Sequence, residues 1–391
     1  MSCIKDIYKG LCSLAVFRGV LEKPLFKRFF EYSRAEGETE KLLSYSAFVS
    51  EIYEGGASLT SCVRHIVFED ENVYVRSVGN MAKISKSVSD AVSHELDILS
   101  QFAALGADDF AKDMESSSFL PSFEVEKADI RAEYESRLGN IGKYGYGIFA
   151  TSAMFSLSDD GAIEPIASAD RISLDSFVGY KEERNKVLNN TAAFLEGRPA
   201  ANVLLYGDAG TGKSSTVKAV TNHFFDRGLR LIEVRKNQLL LLPKVMGEIS
   251  GNPLKFIIFI DDLSFAQNDD NFSMLKATLE GSASAKAKNA VIYATSNRRH
   301  IVRETFSERD GDELHRNDTV QENLSLSERF GLTVLFAKPE KKLYLEIIHE
   351  LAERNGIKVE SEILERDAEA FALKRGYRSA RCAEQFIESL M

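Results

Sequence analysis

One nine-residue stretch constrains this chain more than any other. It reads GDAGTGKSS, spans residues 207–215, and lies between the apolar run NVLLY and a segment whose apolar residues recur at helical spacing. The stretch fits the phosphate-loop pattern of two glycines five positions apart followed by lysine and serine. Such a loop follows a buried strand and opens a helix, whose positive end attracts phosphate. The stretch therefore predicts an α/β domain that binds a nucleoside triphosphate.

Each residue type in this loop has a physical task. Glycines permit turns that aim backbone N–H groups at phosphate oxygens, a lysine carries charge to the β- and γ-phosphates, and a hydroxyl can ligate Mg²⁺. The alternative is a chance glycine-rich turn. With glycine near ~7 % of residues, an accidental match is on the order of one in a hundred for a chain of this length. The predicted ATP-binding residues are Gly207, Asp208, Ala209, Gly210, Thr211, Gly212, Lys213, Ser214 and Ser215.

A second motif is the apolar run FIIFI, residues 256–260, which ends directly in Asp261 and Asp262. Two adjacent like charges are unfavourable unless a cation or a proton transfer uses them. Downstream of a phosphate loop, Asp261 is expected to orient Mg²⁺ together with Ser214, and Asp262 to hold or deprotonate the attacking water. The alternative is an ordinary strand end, because aspartate is common in turns.

Three further positions carry weaker signals. Asn297 follows the strand-like run AVIYATS and could position water between the two motifs, or it could belong to a solvated turn. Arg329 precedes the run LTVLF, and without a family argument it is a surface arginine. Arg378 and Arg381 lie at a predicted helix start, where positive charge is unfavourable to the helix dipole. That conflict indicates an anionic partner such as a phosphate, although surface arginines are common.

The order of apolar runs predicts the architecture. Five short runs (202–206, 229–234, 256–260, 290–296 and 332–336) alternate with helical patterns, which is typical of a doubly wound α/β sheet. We predict a mostly helical N-terminal domain over residues 1–140, a Gly-, Ser- and Asp-rich join over 141–172, the α/β domain over 173–337 and a helical lid over 338–391. One face of the first lid helix carries Tyr344, Ile347, Ile348 and Leu351.

Composition narrows the class of protein. The 49 basic and 59 acidic side chains give a net charge of −10, which disfavours bulk binding to nucleic acid or anionic membranes. The four cysteines form no CxxC pair, so no zinc spacing is present. The N-terminus lacks signal-peptide features, and no apolar run approaches the ~20 residues that span a bilayer. The expectation is a cytoplasmic protein with no membrane partner.

Taken in order, these motifs resemble those of the AAA+ ATPases over roughly residues 170–391. GDAGTGKSS is similar to their Walker A motif, FIIFIDDL to Walker B, VIYATSNRRH to the sensor-1 strand, SLSERFGL to the arginine-finger segment and GYRSAR to the sensor-2 helix start. More narrowly, YATSNRRHIV and SLSERFGL resemble a bacterial family of predicted AAA+ ATPases that is catalogued as a domain of unknown function.

The resemblance implies roles for matched positions. Val178, Gly179 and Tyr180 would border the adenine, Asn297 would act as sensor 1, and Arg329 would be a finger acting on the ATP of the next subunit. Either Arg378 or Arg381 would be sensor 2. The sheet would have five parallel strands in the order 5-1-4-3-2. One departure is that most relatives end Walker B in Asp-Glu, whereas Asp262 is about 1.5 Å shorter than glutamate, so rapid turnover is not implied.

The resemblance leaves several functions open. The leading hypothesis is a homo-oligomeric ATPase that couples hydrolysis of MgATP to remodelling of a protein client recognised by the N-terminal domain. A slow nucleotide switch, whose ATP-bound form assembles a complex with little turnover, is the second. A DNA-associated loader or initiator is the third, and the acidic composition counts against it.

Overall fold

The computed structural model describes residues 3–114, 119–166, 172–264, 270–280, 287–297 and 329–391. The chain divides into two compact units, Met1–Thr151 and Ser152–Met391. Within the described ranges, no helix combines the length and the apolar character that a membrane crossing requires.

The first unit is helical, as predicted. An aromatic cluster fills its core, in which the rings of Phe29 and Phe102 lie 4.7 Å apart between centroids. Glu95 is 3 % exposed and accepts hydrogen bonds from the backbone N–H groups of residues 15–17, so its burial is compensated. The helices are α1 Cys3–Cys12, α2 Pro24–Arg34, α3 Glu38–Glu54, α4 Leu59–Glu69, α5 Val73–Gly79, α6 Lys86–Ala103, α7 Ala107–Ala111, α8 Ile130–Gly139 and α9 Ile141–Tyr144.

The second unit is built on one sheet in which seven described strands have the order β2-β1-β4-β5-β6-β3-β7. The β1–β2 pair is antiparallel and the other neighbours are parallel. The strands are β1 Met154–Leu157, β2 Ile163–Pro165, β3 Val203–Gly207, β4 Leu229–Glu233, β5 Lys255–Ile260, β6 Ala290–Ser296 and β7 Leu332–Phe336. The five predicted strands correspond to β3–β7, and their predicted order is confirmed as β7-β3-β6-β5-β4.

The predicted join over 141–172 differs from the structure. Its residues 154–157 and 163–165 form the hairpin β1–β2, which extends the sheet beyond β4. Met154, Phe155 and Leu157 are at most 2 % exposed. The hairpin was not predicted because its short buried strand lies within a stretch rich in glycine, serine and aspartate. That composition is typical of a loop, and the apolar run is too short to indicate a strand against it.

Helices cover the sheet and form the lid. The sheet helices are α10 Lys181–Leu195, α11 Lys213–His223, α12 Leu242–Ile249 and α13 Asp270–Glu280, and the lid helices are α14 Lys341–Arg354, α15 Ser361–Arg375 and α16 Ala380–Glu388. The predicted lid face is buried at Tyr344, Ile347 and Ile348. Short 3₁₀ turns occupy Arg18–Glu22, Gly147–Ala150, Leu174–Ser176, Phe225–Arg227 and Lys236–Leu241.

Candidate nucleotide-binding site

The phosphate loop joins the end of β3 to the start of α11, at the carboxyl edge of the sheet where α/β domains bind ligands. Gly207 has φ 135°, and a Cβ there would lie 2.1 Å from the carbonyl oxygen of Phe336 in β7. Gly212 has φ 85° directly before α11. Both positions therefore need glycine, one for the close approach of β7 and the other for the turn into the helix.

Lys213 lies inside this loop and is only 6 % exposed. Its ammonium donates to the carbonyl oxygens of Gly207 at 2.9 Å and Asp208 at 2.7 Å, and to Oδ1 of Asn297 at 3.0 Å. Burial lowers the pKa of Lys213 from its ordinary value, while nearby carboxylates oppose that shift. The loop thus holds a buried cation on neutral acceptors that phosphate oxygens can replace.

The acidic pair, Asp261 and Asp262, follows β5 beside this loop. Oδ1 of Asp261 accepts hydrogen bonds from the Ser214 hydroxyl at 2.6 Å and from the Thr295 hydroxyl at 2.5 Å. The predicted metal residues Ser214 and Asp261 are therefore in direct contact. Their proximity follows from the order of the sheet, because β5 and β6 are neighbours and β6 also pairs with β3.

Asp262 and Asn297 meet at the same edge. The Asn297 amide nitrogen donates to Oδ1 of Asp262 at 2.8 Å, while its amide oxygen accepts from Lys213. One side chain therefore connects the phosphate loop to the second aspartate. That amide assignment is set by its partners, since an ammonium can only donate and a carboxylate can only accept.

The backbone of Asp262 is left-handed, with φ 50°. Short polar side chains such as aspartate and asparagine adopt this region more readily than others. Its N–H donates to the Thr295 hydroxyl at 2.9 Å, which holds the turn in place. This conformation gives a physical reason for aspartate rather than glutamate at the second acidic position.

A cavity of about 320 Å³ brings the loop, the acidic pair and the lid together. Its lid side carries Ile347 and Leu351 from α14 and Arg381 from α16, so one wall is apolar and another is charged. The full lining is Ser176, Phe177, Val178, Tyr180, Arg184, Ala209, Gly210, Thr211, Gly212, Lys213, Ser214, Ser215, Asp261, Asp262, Thr295, Asn297, Ile347, Leu351, Ala380, Arg381 and Glu384.

The predicted adenine segment lies at the apolar side. Val178 and Tyr180 line the cavity, and Gly179 between them has φ 70°. The Tyr180 hydroxyl donates to the carbonyl of Ala337 at 2.7 Å, and burial raises the pKa of Tyr180. Arg184 donates to the carbonyl of Gly179 and lies 5.0 Å from the ring centre of Phe177. This segment is therefore fixed to both α10 and the start of the lid.

The structure separates the two arginines at the start of α16. Arg381 lines the main cavity, and its backbone N–H donates to the carbonyl of Gly210 in the loop at 3.2 Å. Arg378 makes a two-pronged ion pair with Glu369, at 2.8 and 2.6 Å. Both arginines line a smaller neighbouring cavity of about 230 Å³, but of the two only Arg381 also lines the main cavity.

Arg329 does not line the main cavity among the described residues. Its Nε donates to Oε1 of Glu280, at the end of α13, at 2.6 Å. Residues 281–286, which follow Glu280, and residues 298–328, which precede Arg329, lie outside the described ranges. They include the first half of the predicted finger segment SLSERFGL, residues 325–328, and the Arg298–Arg299–His300 run.

Sequence reasoning missed several lining residues. Thr295 could have been predicted as a site residue, because it is a polar residue near the end of a largely apolar strand. Arg184 lies within the charged run KEERNK, a pattern that does not indicate burial. In the structure Arg184 is only 7 % exposed, and burial lowers its pKa. Glu384 follows Arg381 by one helical turn, a spacing that places both on one face of α16.

The donors fit a magnesium ion. Ser214 and Asp261 provide oxygen atoms, which Mg²⁺ prefers. Among the described residues, no cluster of three or more His, Cys, Asp or Glu side chains forms a metal site. Mg²⁺ at this position would therefore take its remaining ligands from phosphate oxygens and water, as it does in nucleotide sites.

The strand order, the phosphate loop, the acidic strand end and the three-helix lid define a class, the AAA+ type of P-loop ATPase domain. The chain belongs to the family described as "Protein of unknown function (DUF815)", whose model matches residues 150–391. The resemblance drawn from the sequence is thereby confirmed.

Solved structures with similarity to this chain include the following two. The RuvB Holliday junction branch migration motor of Thermotoga maritima has 16 % identity over 56 % of this chain and 72 % of its own, with a TM-score of 0.34. The AMPPCP-bound DnaA of Aquifex aeolicus has 16 % identity over 56 % of this chain and 64 % of its own, with a TM-score of 0.38. No curated protein matches the sequence.

Proposed function

We propose that this chain binds MgATP in the main cavity and hydrolyses it to ADP and phosphate. The observation that carries the proposal is one continuous set of hydrogen bonds. Lys213 bonds to Asn297, which bonds to Asp262. The N–H of Asp262 in turn bonds to Asp261, which also accepts from Ser214, and all of these residues line a single cavity. This set supports the proposal, because the groups that would bind phosphate, hold the metal and position water all surround one cavity.

Binding begins at the phosphate loop. The Lys213 ammonium would exchange its bonds to the carbonyls of Gly207 and Asp208 for bonds to phosphate oxygens. The ammonium already makes its present bonds charge-assisted, so the gain on exchange is the direct attraction between the cation and the anionic oxygens, which is strong where water is excluded. The apolar wall made by Val178, Ile347 and Leu351 would receive the base.

The acidic pair would divide the remaining work. Ser214 and Asp261 would hold Mg²⁺, which when bound neutralises charge on the phosphate oxygens. Asp262 would accept a hydrogen bond or the proton of the attacking water, with Asn297 fixing the orientation of its carboxylate. Arg381, at the lid side of the same cavity, would take the sensor-2 role in preference to Arg378, which is paired with Glu369.

Arg329 would complete the site of a neighbouring copy of this chain. It lies outside the lining of its own cavity among the described residues, which is compatible with action in trans. An arginine that neutralises transition-state charge is worth about 10³–10⁵ in rate. The active form would then be a homo-oligomer whose sites each need two subunits.

A mixing experiment tests this arrangement. Lys213→Ala has an empty site but an intact finger, and Arg329→Ala has an intact site but no finger. Each variant alone should release little phosphate, whereas their mixture should recover part of the parent rate, with recovery rising as protein concentration rises. A mixture that forms mixed oligomers by light scattering yet stays inactive would exclude Arg329 as a trans finger.

The coupled process would be assembly with, and remodelling of, a protein client, with the helical first unit as the recognition module. A pull-down with Asp262→Asn protein held in the ATP state, followed by mass spectrometry, tests the existence of such a client. Recovery of the same proteins by Lys213→Ala, which should not bind ATP, would contradict ATP-dependent capture.

A slow nucleotide switch is the second candidate. The short Asp262 side chain favours it, because aspartate reaches about 1.5 Å less far toward an attacking water than the glutamate of most AAA+ proteins. Turnover far below about 1 s⁻¹ that no partner accelerates would support the switch. Salt-dependent binding to plain duplex DNA would instead support the DNA-associated alternative, which the net charge of −10 disfavours.

A further inference from the structure

The hydroxyl of Thr295 touches both members of the acidic pair. It donates to Oδ1 of Asp261 at 2.5 Å and accepts from the N–H of Asp262 at 2.9 Å. A threonine hydroxyl has one proton to give and lone pairs to receive, so both bonds can exist together. Thr295 is 2 % exposed, which means that water does not compete for either bond.

The contacts of Asp261 show what this hydroxyl achieves. Its Oδ1 accepts from Ser214, from Thr295 and from the N–H of Asp262 at 3.1 Å. Among the described residues, none of these donors reaches Oδ2. The three bonds therefore hold one oxygen of the carboxylate in place and leave the lone pairs of the other for a metal ion or its water shell.

The second bond of Thr295 acts on the neighbouring aspartate. Asp262 has φ 50°, a conformation that surrounding contacts must maintain. The bond from its N–H to Thr295 holds the turn in the form that directs the carboxylate toward Asn297. One buried hydroxyl thus sets the orientation of the metal-binding carboxylate and of the water-binding carboxylate.

We infer that Thr295 is a positioning residue that couples Mg²⁺ binding to water activation. The inference rests on the proposed ATP hydrolysis, and Thr295 acts through Asp261 and Asp262 rather than on the substrate. Groups that orient metal ligands typically change metal affinity or activity by about 10–100-fold when they are removed. Loss of this hydroxyl should therefore raise the Mg²⁺ requirement and lower the rate together.

The test compares three variants of the full-length chain. Thr295→Val keeps the shape and removes the hydroxyl, whereas Thr295→Ser keeps the hydroxyl. Ser296→Ala is the matched control, because the Ser296 hydroxyl donates to the carbonyl of Leu263 at 2.9 Å and so supports the same turn. Within the described ranges, this hydroxyl makes no hydrogen bond to the acidic pair. Half-saturating Mg²⁺ for phosphate release and ATP affinity in EDTA are measured for each.

We expect Thr295→Val to need about 10–100-fold more Mg²⁺ and to hydrolyse more slowly at saturating Mg²⁺. Its Mg²⁺-free ATP affinity should match the parent, because Lys213 and the loop are intact. Thr295→Ser and Ser296→Ala should stay close to the parent in both measurements. If Thr295→Val does not fold, Thr295→Ala removes the same hydroxyl without placing a new methyl group beside the carboxylate.

Three results would overturn the inference. They are an unchanged Mg²⁺ requirement in Thr295→Val, equal losses in Thr295→Ser and Thr295→Val, or an equal loss in Ser296→Ala. The last result would mean that the turn alone matters. A parent protein that hydrolyses no ATP would instead contradict the proposed function, so the two failures are distinguishable.

Discussion

Asp262→Asn should separate chemistry from structure in this site. Asparagine tolerates the left-handed backbone at φ 50° as aspartate does, and its amide oxygen can still accept from Asn297. The substitution removes only the negative charge and the ability to take a proton. The free energy of unfolding should therefore change by less than about 0.5 kcal/mol, the range of substitutions that break no special feature.

The effect on rate should be much larger. A positioned acid or base typically contributes about 10²–10⁴ to the rate. At about 1.36 kcal/mol for each factor of ten, the activation free energy should rise by about 2.7–5.4 kcal/mol. Affinity for MgATP should change little, because Lys213, Ser214 and Asp261 remain.

The assay is steady-state phosphate release, with calorimetry for ATP affinity and urea denaturation for stability. The matched variant Asp262→Ala should lose a similar rate but also lose about 1 kcal/mol of stability, since alanine tolerates the left-handed backbone poorly. Parent-level turnover by Asp262→Asn would refute the water-positioning role. Equal stability of the two variants would refute the conformational argument.

Further predictions concern two glycines, Gly207 and Gly247, and the two arginines near the start of α16. Gly207→Ala should destabilise the protein by about 3 kcal/mol in urea denaturation, because its Cβ would meet a carbonyl of β7 at 2.1 Å. Gly247→Ala, where nothing lies within 4 Å of the added Cβ in α12, should instead stabilise it by about 0.5–1 kcal/mol. In fluorescence titrations, Arg381→Ala should weaken ATP binding. Arg378→Ala should leave ATP affinity unchanged and lose at most about 1 kcal/mol of stability with its ion pair, and the reverse pattern would assign sensor 2 to Arg378.

The sheet could be predicted from the sequence where its strands are continuous apolar runs. Four of the five runs became β3–β6, whose residues are largely buried on both faces, which is the condition that produces such runs. The fifth became the edge strand β7, where Thr333 and Leu335 are exposed. The hairpin β1–β2 is an edge feature with three to four residues in each strand and a polar turn. Hydrophobic periodicity is weak in so short a pattern, so composition alone misled the prediction.

The site was predictable in its motifs but not in its connections. Lys213, Ser214 and Asp261 follow from spacing, because their chemistry requires a fixed local sequence. The role inferred for Thr295 depends on β5 and β6 being neighbours, which places its hydroxyl beside the acidic pair. The choice between Arg378 and Arg381 likewise depends on how the lid lies over Gly210, and both residues share one sequence signature.

Every role proposed above depends on hydrolysis of ATP at the cavity formed by the phosphate loop, the acidic pair and the lid. Phosphate release with saturating ATP and Mg²⁺, measured for the parent and for Lys213→Ala purified identically, tests it most directly. We expect sustained phosphate release by the parent and its loss in Lys213→Ala, with both proteins equally folded by circular dichroism. Equal release by the two proteins, or none from the parent at any protein concentration, would contradict it.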